Sequence, residues 1–219
     1  MSDLLPLFPL PSTVLFPNVF LPLHVFEPRY RAMVADAIQD DRLIGMVLLR
    51  PGWERDYDGR PPVYPVGCSG LITHVERLAD GRCNIVLRGI ERFRVLEEDH
   101  GRNYRRATVE PLAERKLAAE DWAAIKRQRS KLEELLTPNE SGSSVRHAQA
   151  ADSNVPKIPS GMPDEDLVNA LAQYLDLQPL EKQALLELQD LRRRAESLVE
   201  LLEMKLLIAR TPGVSTVAH

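Results

Sequence analysis

The stretch VGCSGLITHVERLADGRCNIVLRGIERFRVL, residues 66–96, decides the fold. Two runs rich in Val, Ile and Leu, Val66–Leu78 and Arg82–Leu96, flank Asp80-Gly81, a dipeptide favoured in two-residue hairpin turns because Gly takes positive φ without steric cost. A two-residue turn there places Leu78 opposite Cys83 and Phe93 opposite Cys68. The two cysteines are then not cross-strand partners, and they read as small buried hydrophobes rather than a disulfide.

Upstream of the hairpin, Leu4–Leu10, Val14–Phe16 and Val19–His24 read as short apolar strands. Pro6, Pro9, Pro11, Pro17, Pro22 and Pro28 hold such segments to edges and bends, and Pro17-Asn18 marks a turn. Pro28 suits a first helical position, and Tyr30, Met33, Val34, Ala37 and Ile38 recur at helical spacing, so a helix is expected over 28–40. Arg42–Leu49 returns to strand, Pro51–Pro65 is a long loop, and Tyr104–Leu112 is a last strand. Strands this short are buried best by an antiparallel sheet curled into a small barrel, which gives a β-rich domain over 1–115.

From residue 116 the apolar period becomes helical, defining a helical domain over 116–210. One helix is expected over 117–136, with Trp122, Ile125, Leu132, Leu135 and Leu136 on a face. A second is expected over 164–176, with Leu167, Leu171 and Tyr174. The third and longest starts near Pro179 and carries Leu188, Leu191, Ala195, Leu198 and Leu202 in steps of 3 and 4, a narrow seam for an intramolecular bundle or, less commonly, a dimer. The polar segment 137–162 reads as a mobile loop or a binding segment that orders on contact. The fold class is therefore α+β.

Composition narrows the function. The chain has 219 residues, 44% of them apolar and 27% charged, with a net charge of −4, which fits a globular protein and not a dedicated nucleic-acid binder. Two cysteines make no disulfide framework, no apolar run is long enough for a membrane span, and the N-terminus lacks a basic n-region, so a cytoplasmic setting is expected. There is no phosphate-binding G-x-x-x-x-G-K-[ST], no G-x-S-x-G and no H-E-x-x-H. His24, His74, His100, His147 and His219 are scattered singly, and Ser130-Lys131 adjoin on a helix and point apart. No catalytic residues, metal site or cofactor are expected.

Two features remain. Arg88, Arg92 and Arg94 alternate onto one face of a strand, either as a basic surface for phosphates or as a solvated face neutralised by Glu76, Glu91, Glu97, Glu98 and Glu110; the second reading is favoured because few aromatics are interleaved. Phe8, Phe16, Phe20 and Phe26 crowd the first 26 residues. They read as core, or, where a groove exposes them, as a surface for extended apolar polypeptide.

The run Leu5-Pro6-Leu7-Phe8-Pro9-Leu10, then Val14-Leu15-Phe16-Pro17, then Leu21 through Arg31 with its Glu27-Pro28-Arg29-Tyr30-Arg31, resembles the N-terminal substrate-binding domain of the Lon proteases. So do Gly67, Asp80-Gly81-Arg82, Gly89 and Arg92-Phe93-Arg94-Val95; the helical stretch Glu181–Glu187 resembles that domain's trailing helices. The resemblance is strong over 4–112 and looser over 164–208. It implies a pseudobarrel related to PUA domains, followed by helices, in a family implicated in recognising unfolded or tagged proteins. Asn18 stands where the family commonly has Gly, and Asn tolerates a left-handed backbone. No ATPase or Ser–Lys protease module follows, so the expectation is a non-enzymatic form that binds unfolded or extended polypeptide, and whether an ATPase or protease is recruited in trans stays open.

On this reading the polypeptide-binding residues are Phe8, Phe16, Phe20, Arg29 and Tyr30, with Glu27 and one of Arg29 or Arg31 expected to join the helix to the strand Arg82–Leu96. The alternative is an RNA-binding protein using Arg88, Arg92 and Arg94. The client and the oligomeric state stay open.

Overall fold

A computed structural model describes residues 4–57, 59–136 and 161–210; the segment 137–160, most of the expected loop, lies outside the described residues. Its strands are β1 (Leu5–Leu10), β2 (Phe20–Val25), β3 (Leu43–Leu48), β4 (Val66–Arg77), β5 (Cys83–Asp99) and β6 (Arg105–Pro111). Its helices are α1 (Pro28–Gln39), α2 (Ala119–Leu136), α3 (Asp164–Tyr174), α4 (Pro179–Glu187) and α5 (Leu191–Arg210). The fold is α+β, with a helical C-terminal region. Contacts divide the chain into two compact units, Met1–Ala113 with Asn169–Glu187, and Glu114–Val168 with Leu188–His219, so the division runs through α3.

In the first unit the strands follow the order β2-β5-β4-β3-β1-β6, and β5 also pairs with β6. The 17-residue β5 makes this possible: Cys83–Arg88 pair with β2, and Phe93–Asp99 pair with β6 on the same edge. The ring β5-β4-β3-β1-β6 thus closes, which removes those strand edges, and β2 is left at the end of the sheet. β1 and β3 pair in parallel, and the other pairs are antiparallel. Leu7, Val47, Phe93 and Ala107 form an apolar core cluster. A Cβ at Gly67 would sit 2.4 Å from the Met46 carbonyl oxygen and 2.7 Å from the Phe93 ring, so glycine is what lets Phe93 fill the ring.

The β4–β5 hairpin differs from expectation by one residue. Arg77 faces Cys83, and Cys68 faces Arg92. The Leu78 amide donates to the Arg82 carbonyl across a three-residue turn, in which Gly81 alone is left-handed (φ 81°). Asp80 instead accepts from the Arg82 amide at 3.0 Å, a side-chain turn that competes with the two-residue form. Both cysteines are buried and free.

Val14–Phe16 is buried but is not a strand. The Phe16 amide donates to the Gln173 side chain, and the turn that follows docks on Gly89, whose carbonyl accepts from Asn18. Asn18 takes φ 62°, the left-handed conformation that asparagine tolerates.

In the second unit α2 packs along α5, with Ile125, Leu132, Ala195, Leu198 and Leu202 buried. Trp122, expected on that apolar face, is largely exposed. The single long helix expected from Pro179 is two helices, α4 and α5, separated at Leu188–Asp190. Asp190 caps α5: its side chain accepts from the Arg193 amide at 2.9 Å, satisfying a donor the helix start leaves open. Charges are buried beside this cap. Asp121 receives the Ala118 amide, Arg115 and Arg192, and its carboxyl is held below the usual range by the Ala118 amide first and then by those arginines, against burial. Arg194 is fully buried and pairs with Glu114 at 2.8 Å.

Candidate functional site

Two places in the first unit present chemistry. One is built by Glu27-Pro28-Arg29-Tyr30. Pro28 opens α1, because its fixed φ suits a helix start and its missing N–H costs no bond there. Arg29, in the first turn, folds back to pair with Glu27 (2.9 Å), and the second Glu27 oxygen accepts from the Tyr57 hydroxyl. The Arg29 guanidinium lies 4.7 Å from the Tyr30 ring centre and 5.1 Å from that of Tyr57, a cation between two aromatic faces. Tyr30 packs on Phe8 with ring centres 4.5 Å apart. Glu27 and Arg29 therefore fasten the helix start to the 51–65 loop, not to β5 as expected. Arg31 is the residue that reaches the hairpin: a Cβ on Gly81 would meet its guanidinium at 2.3 Å.

Arg29, Tyr30 and Tyr57 line a pocket of about 200 Å³ with Arg60, Tyr104 and Arg105. Burial, reinforced by Glu27 and Tyr57 against Arg29, pushes the Tyr30 phenol up to about 12. Tyr104 also rises to about 12, through burial and its hydrogen bond to Asp36 (2.7 Å). Burial and then the bond to Glu27 raise Tyr57. Burial alone lowers the Arg29 pKa, but the charges of Tyr30 and Glu27 and the bonds to Glu27 and Tyr57 outweigh it, and the net shift is upward. Tyr30, Tyr57 and Tyr104 stay neutral hydrogen-bonding groups and Arg29 stays charged at any physiological pH.

The second place is β2. Gly89 donates to the Val19 carbonyl, so by antiparallel alternation Leu21, Leu23 and Val25 carry the ladder to β5, and Phe20, Pro22 and His24 turn their backbone outward. This edge is blunted: Pro22 has no N–H, and the Tyr174 hydroxyl donates to the Phe20 carbonyl at 2.8 Å. What β2 offers is side chains. Phe20 is 50% exposed, Phe26 58% and Tyr174 63%. Alongside, His24, Asn84 and Glu76 form a polar chain across β2, β5 and β4, at 2.7 and 2.8 Å.

The residues singled out in the sequence thus separate. Phe8 and Tyr30 are buried around Arg29, Phe16 is wholly buried, and Phe20 stands apart on the β2 face. The arginines do not share a face either: Arg88 and Arg94 are exposed, whereas Arg92 is 3% exposed and donates to the Leu186 carbonyl at the end of α4. A bulge between Gly89 and Arg92, where two steps along β4 from Cys68 to Gly70 match three along β5, breaks the alternation between Arg88 and Arg92; Arg92 and Arg94 keep the same side, and Arg92 is the one that bonds to the end of α4. Tyr57, Arg60, Tyr104 and Arg105 were not legible as site residues, because their loops join the pocket from positions far apart in sequence. Among the described residues, no group of three or more His, Cys, Asp or Glu could hold a metal ion, and no helix is long and apolar enough to cross a membrane.

A closed β ring with one outer strand, together with the helices, defines an α+β fold class. The family profile described as the ATP-dependent protease La (LON) substrate-binding domain matches residues 4–204, and the chain belongs to that family. Lon protease 2 of Myxococcus xanthus is 29% identical over 211 residues, covering 93% of this chain and 24% of that protein. The Lon protease of Anaeromyxobacter dehalogenans (strain 2CP-C) is 27% identical over 209 residues, covering 92% and 23%. The chain spans about a quarter of the length of these relatives. The N-terminal domain of Mycobacterium avium complex Lon protease superposes with a TM-score of 0.64 at 19% identity, covering 91% of this chain and 98% of that one. The Lon N-terminal domain protein from Xanthomonas campestris gives 0.55 at 24%, covering 95% and 99%. These two likenesses speak to fold alone.

Proposed function

We propose that this chain is a non-enzymatic module that binds extended or unfolded polypeptide through its β-rich unit. The observation that carries the reading is the β2 face, where Phe20 and Tyr174 are exposed side by side and Phe26 is exposed past the other end of the strand, along an edge blunted by Pro22 and by the Tyr174–Phe20 bond. Such a face takes up apolar side chains of a client without recruiting another strand edge, which separates binding from aggregation. Membership of the Lon substrate-binding family supports the same direction. A PUA-type kinship of the ring, a cytoplasmic setting and hand-over of the client to an ATPase or protease in trans belong to this proposal.

Fluorescence anisotropy with a labelled unfolded polypeptide and a labelled structured RNA, each at low and high salt, tests it. Polypeptide binding that tolerates salt is expected, because apolar contacts are not screened, and Phe20→Ser should weaken it about tenfold, the usual scale for an aromatic anchor. Salt-sensitive RNA binding alone, lost on replacing Arg88 and Arg94, transfers the function to the RNA reading.

A further inference from the structure

The Arg29–Arg60–Arg105 pocket has an unbalanced charge. Arg29 is paired with Glu27, and Arg105 is paired with Glu98, its remaining nitrogen donating to the Pro61 carbonyl. Arg60 is different: its two terminal nitrogens donate only to the main-chain carbonyls of Asp99 (3.2 Å) and Arg102 (3.3 Å), and no carboxylate pairs with it among the described residues. The three lining cations thus have two ion-pair partners, and although the Asp56 carboxylate lies against Gly59, no acidic side chain among the described residues lines the opening itself. A guanidinium has five N–H donors in a fork that matches a carboxylate, and carbonyls at two nitrogens leave donors of Arg60 over.

Size and lining narrow the ligand. A volume of about 200 Å³ is below the usual range for a nucleotide or drug-sized molecule but holds the end of a peptide or one side chain. Pro9, Leu49 and the tyrosine rings supply apolar wall for a carbon stem. One spare positive charge balances a single negative charge, which favours a carboxylate over a dianionic phosphate.

We propose that this pocket holds a carboxylate of the bound polypeptide, with Arg60 as its principal partner. The inference rests on the polypeptide-binding reading and specifies the ligand group that the β2 face does not. A carboxylate in the pocket converts two ion pairs and a lone cation into three matched charges, and it gives the apolar β2 contact a polar register mark.

The test uses the full chain and three fluorescein-labelled peptides of one uncharged, aromatic-rich sequence: one with a free C-terminal carboxylate, one amidated, and one amidated with an internal Glu. The carboxylate-bearing peptides are expected to bind about tenfold or more tightly than the neutral one, as for a hydrogen-bonded charged group. Preference for the free terminus alone assigns the chain end, and preference for both assigns any carboxylate; each outcome supports the pocket. Arg60→Gln should erase the preference and leave the neutral peptide's affinity unchanged, which also shows that the variant is folded. Arg60→Lys, which keeps the charge but not the fork, should fall between. Equal binding of the three peptides overturns the pocket assignment and leaves the polypeptide reading intact, as does a preference that survives Arg60→Gln. Binding of none overturns both.

Discussion

The two compact units solve the same problem with different materials. In the β unit, the strands close on themselves around Leu7, Val47, Phe93 and Ala107, and its buried Arg92 and Arg105 each donate to a main-chain carbonyl. In the helical unit, the α2–α5 seam ends in the Asp121–Arg115–Asp190 and Asp121–Arg192 pairs and the Arg194–Glu114 pair. Apolar volume is forgiving of partner identity but not of size, whereas buried charge is forgiving of neither partner's loss. The difference teaches where each unit is fragile. Each also holds one of the chain's two tryptophans, Trp53 in the first and Trp122 in the second, so unfolding can be followed separately.

The largest effect is expected from Phe93→Ala. Phe93 is buried, and its ring packs into the space left by the absent Cβ atoms of Gly45 and Gly67. Truncation should cost about 3–5 kcal/mol, measured by urea unfolding at Trp53 in a Trp122→Phe background. An equal shift at Trp122, in the reciprocal Trp53→Phe background, breaks the comparison by making the two units one cooperative whole.

Next comes Arg194. Arg194→Met strips Glu114 of a buried partner and should cost about 3 kcal/mol at Trp122. Adding Glu114→Leu should recover much of that loss, since an apolar pair avoids the desolvation an ion pair suffers. A double variant no more stable than the single one shows that the charge pair is not the quantity at stake.

Local signals were legible in the sequence and long-range partners were not. Asp80-Gly81 marked the hairpin, and Pro28 with Tyr30, Met33, Val34 and Ala37 marked α1, because turn chemistry and helical period act within a few residues. The register slipped by one because Asp80 binds its own turn. Arg92 parted from Arg88 because a bulge between them breaks the two-residue alternation, and it parted from Arg94 because it bonds to the Leu186 carbonyl at the end of α4, a partner 94 residues away in sequence. The long seam hid a boundary, since Asp190 caps α5 without a Glu three residues on to announce it. The candidate pocket was the least legible part: Arg29 and Tyr30 were visible in a motif, but Tyr57, Arg60 and Arg105 meet them only after the ring closes.

The smallest effect sharpens the comparison from the alkaline side. All five tyrosines, Tyr30, Tyr57, Tyr64, Tyr104 and Tyr174, fall in the β unit, and the helical unit has none. Burial raises Tyr30 and Tyr104 to about 12. The folded state therefore holds these protons more tightly than the unfolded chain, whose phenols titrate near 10. That contribution is complete below pH 10 and is lost as pH rises through about 12, so stability at Trp53 should fall across this window while Trp122 moves less. Lys182, whose pKa burial lowers, works in the opposite sense, and the Cys83 thiol, which burial pushes up, works in the same sense, so the observed fall is the tyrosine contribution combined with both. Tyr104→Phe removes one of the two large contributors along with its hydrogen bond to Asp36. It should cost about 1 kcal/mol at neutral pH and flatten the alkaline slope, because the phenylalanine has no proton to lose. A slope unchanged by that substitution places the alkaline sensitivity in groups other than Tyr104, with Tyr30 the largest of them.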